Sequence, residues 1–318
     1  MRLETRRRFL KATAAGIAGA AAGESLLSQA AGAEEPAKME IVDTHTHFYD
    51  PTRPQGIPWP AKDDKLLYRR VLPEDYKQLT KPHGVTGTVV VEASPWVEDN
   101  QWVLSLGAKN PIIVGVVGRL TPGTDDFAKH LTRFAKNGLF RGLRLGVGEL
   151  KKGLGEDRFV NDLKLLTEDD LELDAIGGPD LLPEVVLLAG LLPDLRVVIN
   201  HVSGVPIDGK APPRAWLEGI RAAAKHRRVY CKVSGLAEAT GKSNGDAPKD
   251  VAFYKPVLDA LWEAFGEDRL IYGSNWPVSE RFASYGTVQA IVSEYFGGKG
   301  KTAAAKFFAG NAKAAYKW

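Results

Sequence analysis

Ile41-Val-Asp-Thr-His-Thr-His47 closes a short β-branched run with two histidines one residue apart. In a strand, alternate side chains share a face, so His45 and His47 point the same way. Their Cα atoms then lie roughly 6–7 Å apart, close enough for both imidazoles to converge on one metal or substrate. Taken alone, the pair fits two ordinary strand histidines equally well. The rest of the chain decides between them.

Seven further apolar runs follow the first, at 86–93, 112–120, 140–146, 171–177, 196–201, 228–235 and 269–275. Helix-like stretches separate several of them, among them 125–136, 181–191, 213–225 and 251–265. Strands alternating with helices predict a parallel sheet, and eight such units predict an α/β fold, a single (β/α)8 barrel. A doubly wound open sheet is the competing architecture. It lacks support because no glycine-rich phosphate turn follows the first strand. The stretch 50–67 carries Pro51, Pro54, Pro58 and Pro60 around Trp59 and is too proline-rich for a helix. A loop of that length is expected to be a lid or binding loop, with Trp59 either covering a ligand or anchoring the loop.

In such a barrel, function sits where the strands end. The run ends carry His45 and His47, Glu92, Arg119, Arg144, Asp174, His201, Lys232 with Ser234, and Asn275. One polar strand end is noise; one on every strand is hard to explain by packing. Parity adds direction. Val229, Cys231 and Val233 share one face, which turns Lys232 into the barrel. The same alternation turns Arg144 inward from Leu143 and Leu145, and Glu172 and Asp174 inward from Leu171, Leu173 and Ala175. Inward charges require opposite charges or an anionic ligand. Lys232 and Arg144 therefore read either as structural ion pairs with Asp174, Asp43 or Glu92, or as substrate-holding groups. His201 suits a third histidine beside His45 and His47. His83, His130 and His226 fall in loop or helix contexts and read as surface residues.

The N-terminus reads as a twin-arginine export signal over residues 1–33. Thr5-Arg-Arg-Arg-Phe-Leu-Lys11 precedes a weakly apolar Ala/Gly run, and Ala31-Gly-Ala33 offers a small-residue cleavage site before the domain at 34–318. This segment holds five basic and two acidic residues, which accounts for the whole net charge of +3. The remainder is balanced, so neither nucleic acid nor an anionic membrane is an expected partner, and a small-molecule substrate is. The expected location is periplasmic or otherwise exported. The one cysteine, Cys231, excludes an intrachain disulfide and reads as a buried structural thiol.

Asp43-Thr-His-Thr-His-Phe48, Arg141-Gly-Leu-Arg144, Asn200-His-Val-Ser-Gly204, Lys232-Val-Ser-Gly235 and Gly273-Ser-Asn-Trp-Pro-Val278 resemble the amidohydrolase-related family. More narrowly they resemble its lactonase-like branch, with fuconolactonases and pyrone-dicarboxylate lactonases. The likeness runs from Ile41 to the closing Asn311–Tyr316. It implies a barrel hydrolase that attacks a carboxylic ester or lactone with water, and it places His45, His47, His201 and Asn275 at the centre. The branch often needs no metal, whereas most amidohydrolases bind zinc or another divalent ion. One departure stands out: the family's last strand usually ends in an aspartate that activates water, and here that residue is Asn275. An amide cannot take the water proton at neutral pH.

Three readings follow. The leading one is a lactonase-like hydrolase acting on a small polar or carboxylated cyclic ester. In it His45, His47, His201 or Asp174 serves as base, and Arg144, Lys232, Glu92, Trp59 and Trp276 surround the substrate. The second is a metal-dependent amidohydrolase or decarboxylase with zinc on His45, His47 and His201. The third is a non-catalytic binding barrel, motivated by the missing aspartate.

Overall fold

The structure, a computed structural model, describes residues 39–318. The leader at 1–33 lies outside the described residues. Each apolar run forms a strand: β1 (Val42–Thr46), β2 (Gly87–Val91), β3 (Ile113–Gly118), β4 (Phe140–Gly146), β5 (Glu172–Ile176), β6 (Arg196–Ile199), β7 (Val229–Val233) and β8 (Leu270–Tyr272). All pair in parallel with their sequence neighbours, in the order 1 to 8. The ring closes where Thr46 bridges Trp276 and the His47 N–H donates to Trp276 O at 2.9 Å. The fold is a single (β/α)8 barrel.

The helices cover the outside for the reason their spacing gives. In the helix Phe127–Ala135, Phe127, Leu131 and Phe134 fall at intervals of four and three and are the buried residues. Phe134 stacks on Phe140 of β4 at 5.7 Å between ring centroids. Outward-facing Leu143, Leu145, Leu173, Val229, Cys231 and Val233 complete the layer between strands and helices. Alternation along β4, β5 and β7 is therefore as the parity predicts.

The barrel interior has an apolar lower layer. Val89, Val91, Val117, Val198 and Ile271 pack there against Ala312, Ala315 and Tyr316 of the closing helix Asn311–Tyr316. Arg196, at the start of β6, donates to Ala315 O at 2.6 Å and ties that helix to the barrel. Above this floor the interior turns polar, with Glu172, Asp174, Lys232 and His45 fully buried.

Strands end earlier than the runs suggest. Arg119, His201, Ser234 and Asn275 lie just beyond β3, β6, β7 and β8, in the loops at the mouth. The ladder between β1 and β2 also slips between Asp43 and Thr46. Asp43 consequently does not serve as counter-ion to an interior cation. It accepts from Tyr76 Oη (2.9 Å), Tyr285 Oη (3.1 Å) and the Ser274 N–H (2.8 Å).

Candidate active site

Three histidine rings meet at the mouth of the barrel. The His45 ring centroid lies 5.1 Å from that of His47 and 4.3 Å from that of His201. His45 lies in β1 and His47 directly follows it, whereas His201 comes from a strained turn. His201, Val202 and Ser203 all take left-handed φ, at +50°, +47° and +56°. Such geometry costs roughly 1–2 kcal/mol per non-glycine residue, and a β-branched residue rarely adopts it. The turn is pinned by Trp216 Nε1 donating to Val202 O (2.9 Å) and Ser203 Oγ donating to Gly178 O (2.8 Å). Close approach also demands glycine on the neighbouring strands. A Cβ on Gly273 would meet His45 Cβ at 2.9 Å, and one on Gly235 would meet His201 Cβ at 2.9 Å.

His47 Nδ1 lies 3.0 Å from Val91 O. A carbonyl only accepts, so Nδ1 carries the proton and Nε2 keeps its lone pair. Burial and the nearby Arg144 cation lower the His47 pKa to about 3, and burial likewise lowers those of His45 and His201. All three rings are neutral at ordinary pH.

A cavity of about 460 Å³ opens over the cluster, lined by His47, Trp59, Glu92, Arg119, Arg144, His201 and Asn275 among others. The Trp59 ring lies 5.6 Å from His47 and 5.4 Å from Tyr49, so the proline-rich loop does cover the site. The cations at the mouth are each matched. Arg144 donates from Nε to Glu92 Oε1 (2.9 Å) and from Nη2 to Glu92 O (2.8 Å). Arg119 donates to Arg144 O (2.8 Å) and to Glu149 Oε1 (2.6 Å).

A family model described as amidohydrolase matches residues 42–318. The chain belongs to the amidohydrolase family. It is 31% identical over 281 residues to an L-fucono-1,5-lactonase of Burkholderia ambifaria, covering 85% of this chain and 93% of that one. An L-fucono-1,5-lactonase of Burkholderia multivorans is 26% identical over 262 residues, covering 80% and 88%. A Burkholderia multivorans amidohydrolase solved with bound zinc superposes with a TM-score of 0.78 at 23% identity, covering 87% and 98%.

Amidohydrolases often hold a divalent metal, but the histidines here do not fit one. Lys232 Nζ points at His45 Nδ1 from 3.4 Å. An ammonium only donates, so Nδ1 accepts and the His45 proton sits on Nε2. That Nε2 is buried without a hydrogen-bond partner. A metal on Nε2 would force a proton onto Nδ1, against the ammonium. Among the described residues no group of three or more His, Cys, Asp or Glu side chains is placed to hold a metal ion.

Four expected site residues, His45, Asp174, Lys232 and Trp276, do not line the cavity. Lys232 and Asp174 are wholly buried and spent on each other at 2.7 Å, so Lys232 does not reach a substrate and Asp174 is not free to act as base. Trp276 is buried among Phe48 and Tyr76, with Nε1 donating to Glu280 Oε1 at 2.7 Å; it is packing. The structure adds Glu238, which sequence reading misses. Its Oε1 accepts from Asn275 Nδ2 at 2.8 Å, and burial raises its pKa to about 7. Glu238 lies in Leu236-Ala-Glu-Ala-Thr240, a stretch whose only signal is its place directly after a strand end.

Proposed function

We propose that this amidohydrolase opens a small, neutral, polyhydroxylated lactone of the sugar-acid type with water, after export by its twin-arginine leader. The observation that carries the substrate class is the charge pairing at the mouth. Arg144 is matched by Glu92 and Arg119 by Glu149, leaving guanidinium N–H donors for hydroxyl and carbonyl oxygens but no unspent cation for a substrate carboxylate. The L-fucono-1,5-lactonase relatives support the same class.

His47 lines the cavity with a lone pair on Nε2. In the proposed reaction the water oxygen bonds to the lactone carbonyl carbon and its proton passes to His47 Nε2. The imidazolium then returns the proton to the ring oxygen as the C–O bond breaks, which yields the hydroxy acid. The low pKa of His47 is set by burial and Arg144. An oxyanion forming beside the ring offsets that cation, so base strength grows as the transition state develops. Arg144 is the donor placed to meet that oxyanion.

The test is proton release from a panel of neutral aldonolactones and carboxylated lactones. Neutral lactones should be turned over, and His47→Ala should lower kcat by about 10²–10⁴-fold. No turnover of any neutral lactone, or full activity in His47→Ala, would overturn the proposal.

A further inference from the structure

Asn275 follows β8 with φ +59° and lines the same cavity wall as His47. Its Nδ2 donates to Glu238 Oε1 at 2.8 Å. Glu238 opens the short turn Glu238–Thr240 beyond β7. Its carboxyl faces no cation among the described residues. Tyr254 lies close enough to feel its charge, and the Tyr254 hydroxyl is already donated to Pro248 O at 2.6 Å.

A carboxylate only accepts hydrogen bonds, so an ionised Glu238 requires Nδ2 of the amide and turns Oδ1 away. His47 has committed Nδ1–H to Val91 O, so Nε2 is the nitrogen left to face Asn275 across the cavity wall. A carbonyl oxygen at Nε2 favours the protonated ring, the state formed when water gives up its proton. The opposite amide orientation would donate Nδ2–H to that lone pair and block it.

We propose that Glu238 is a positioning residue: its carboxylate fixes the Asn275 amide with Oδ1 toward His47, and its protonation lets the amide turn over. The role rests on His47 as the proposed base. The pair does part of the work that an aspartate at position 275 would do alone. It also means that Asn275→Asp would set two carboxyl groups at hydrogen-bond distance, where they would share a proton rather than both ionise.

Two measurements on the full chain test this. The first is kcat/KM against pH with a neutral aldonolactone. The wild type should rise with a midpoint at about 7. Glu238→Gln, whose Oε1 accepts from Nδ2 at every pH, should lose that limb with KM unchanged and keep most of the alkaline kcat. Glu238→Leu should lose the limb and roughly tenfold in kcat. A limb near 7 that survives in Glu238→Gln overturns the proposal. The second is the pH titration of the Asn275 side-chain amide resonance in ¹⁵N-asparagine-labelled protein, assigned with Asn275→Ser. It should move near pH 7 in the wild type and stay flat in Glu238→Gln. A flat wild-type resonance overturns the positioning role even if no lactone is turned over. A resonance that moves in the absence of turnover supports the positioning and overturns only the lactonase reading.

Discussion

Lys232 Nζ lies 2.7 Å from Asp174 Oδ2 in a barrel interior where neither side chain meets solvent. Thr44 O accepts from the same ammonium at 3.0 Å, and Tyr316 Oη donates to the other Asp174 oxygen at 2.9 Å. The pair therefore joins β1, β5 and β7 to the closing helix. Removing one partner strands the other charge in a dry interior, so Asp174→Asn should cost about 3–5 kcal/mol of stability. The double replacement Asp174→Leu with Lys232→Met should cost far less, because no unpaired charge remains. Urea denaturation of both variants checks this; equal losses would mean the pair is not the source.

Glu92 holds Arg144 by the guanidinium edge. If that pairing is what turns away carboxylated lactones, Glu92→Gln should release a full positive charge into the cavity. The ratio of kcat/KM for carboxylated over neutral lactones should then rise by about 10-fold, the effect of roughly 1.4 kcal/mol of new ion pairing. An unchanged ratio would show that shape, not charge, sets the selectivity.

The barrel and the inward charges are legible in the sequence because alternation forces them. In β7 the apolar parity of Val229, Cys231 and Val233 leaves Lys232 no direction but inward, and β5 supplies Asp174 by the same rule. What alternation cannot say is depth. Lys232 and Asp174 sit below the cavity and satisfy each other, whereas Arg144 reaches the mouth. Asp43 escapes the rule because β1 slips its register there, which hands its carboxyl to two tyrosines outside the barrel. Glu238 carries no periodic signal at all, since a loop residue is placed by tertiary contacts. His201 is visible as a run end, but the left-handed turn that aims it depends on Trp216 and Gly178, both remote from it in sequence.

Burial raises the Glu238 carboxyl from 4.5 to about 7. A folded-state pKa above the unfolded one means the unfolded chain loses its proton first. Stability should therefore fall as pH rises from about 4.5 through 7 and level off above that. Glu238→Gln removes the titrating group. Its stability relative to wild type should be near parity at pH 5 and higher at pH 8, measured by thermal unfolding at both values. A gap of the same size at both pH values would place the shift elsewhere.

The contact from Lys232 Nζ to His45 Nδ1 leaves the cluster short of a metal ligand. Activity should accordingly survive dialysis against a chelator, and added zinc or manganese should not raise it. Loss of turnover on chelation that returns with metal would show that the His45 ring reverses its protonation on loading.

The covering loop is held by Arg53, which donates from Nη1 and Nη2 to the two Asp99 oxygens at 2.9 and 3.1 Å and lies 4.5 Å over the Trp102 ring. Both partners belong to the helix Val97–Gly107, so one side chain fastens the loop bearing Trp59 to the barrel wall. Arg53→Ala removes the ion pair and the ring contact while touching nothing at His47. A loosened loop must be ordered again each time substrate binds, and immobilising such a segment costs about 0.5–1.5 kcal/mol per side chain. KM should rise about 3- to 10-fold with kcat little changed, by the rule that uniform binding losses appear in KM. Steady-state kinetics on a neutral lactone decides it. A fall in kcat at constant KM would instead show that Trp59 acts in the chemical step.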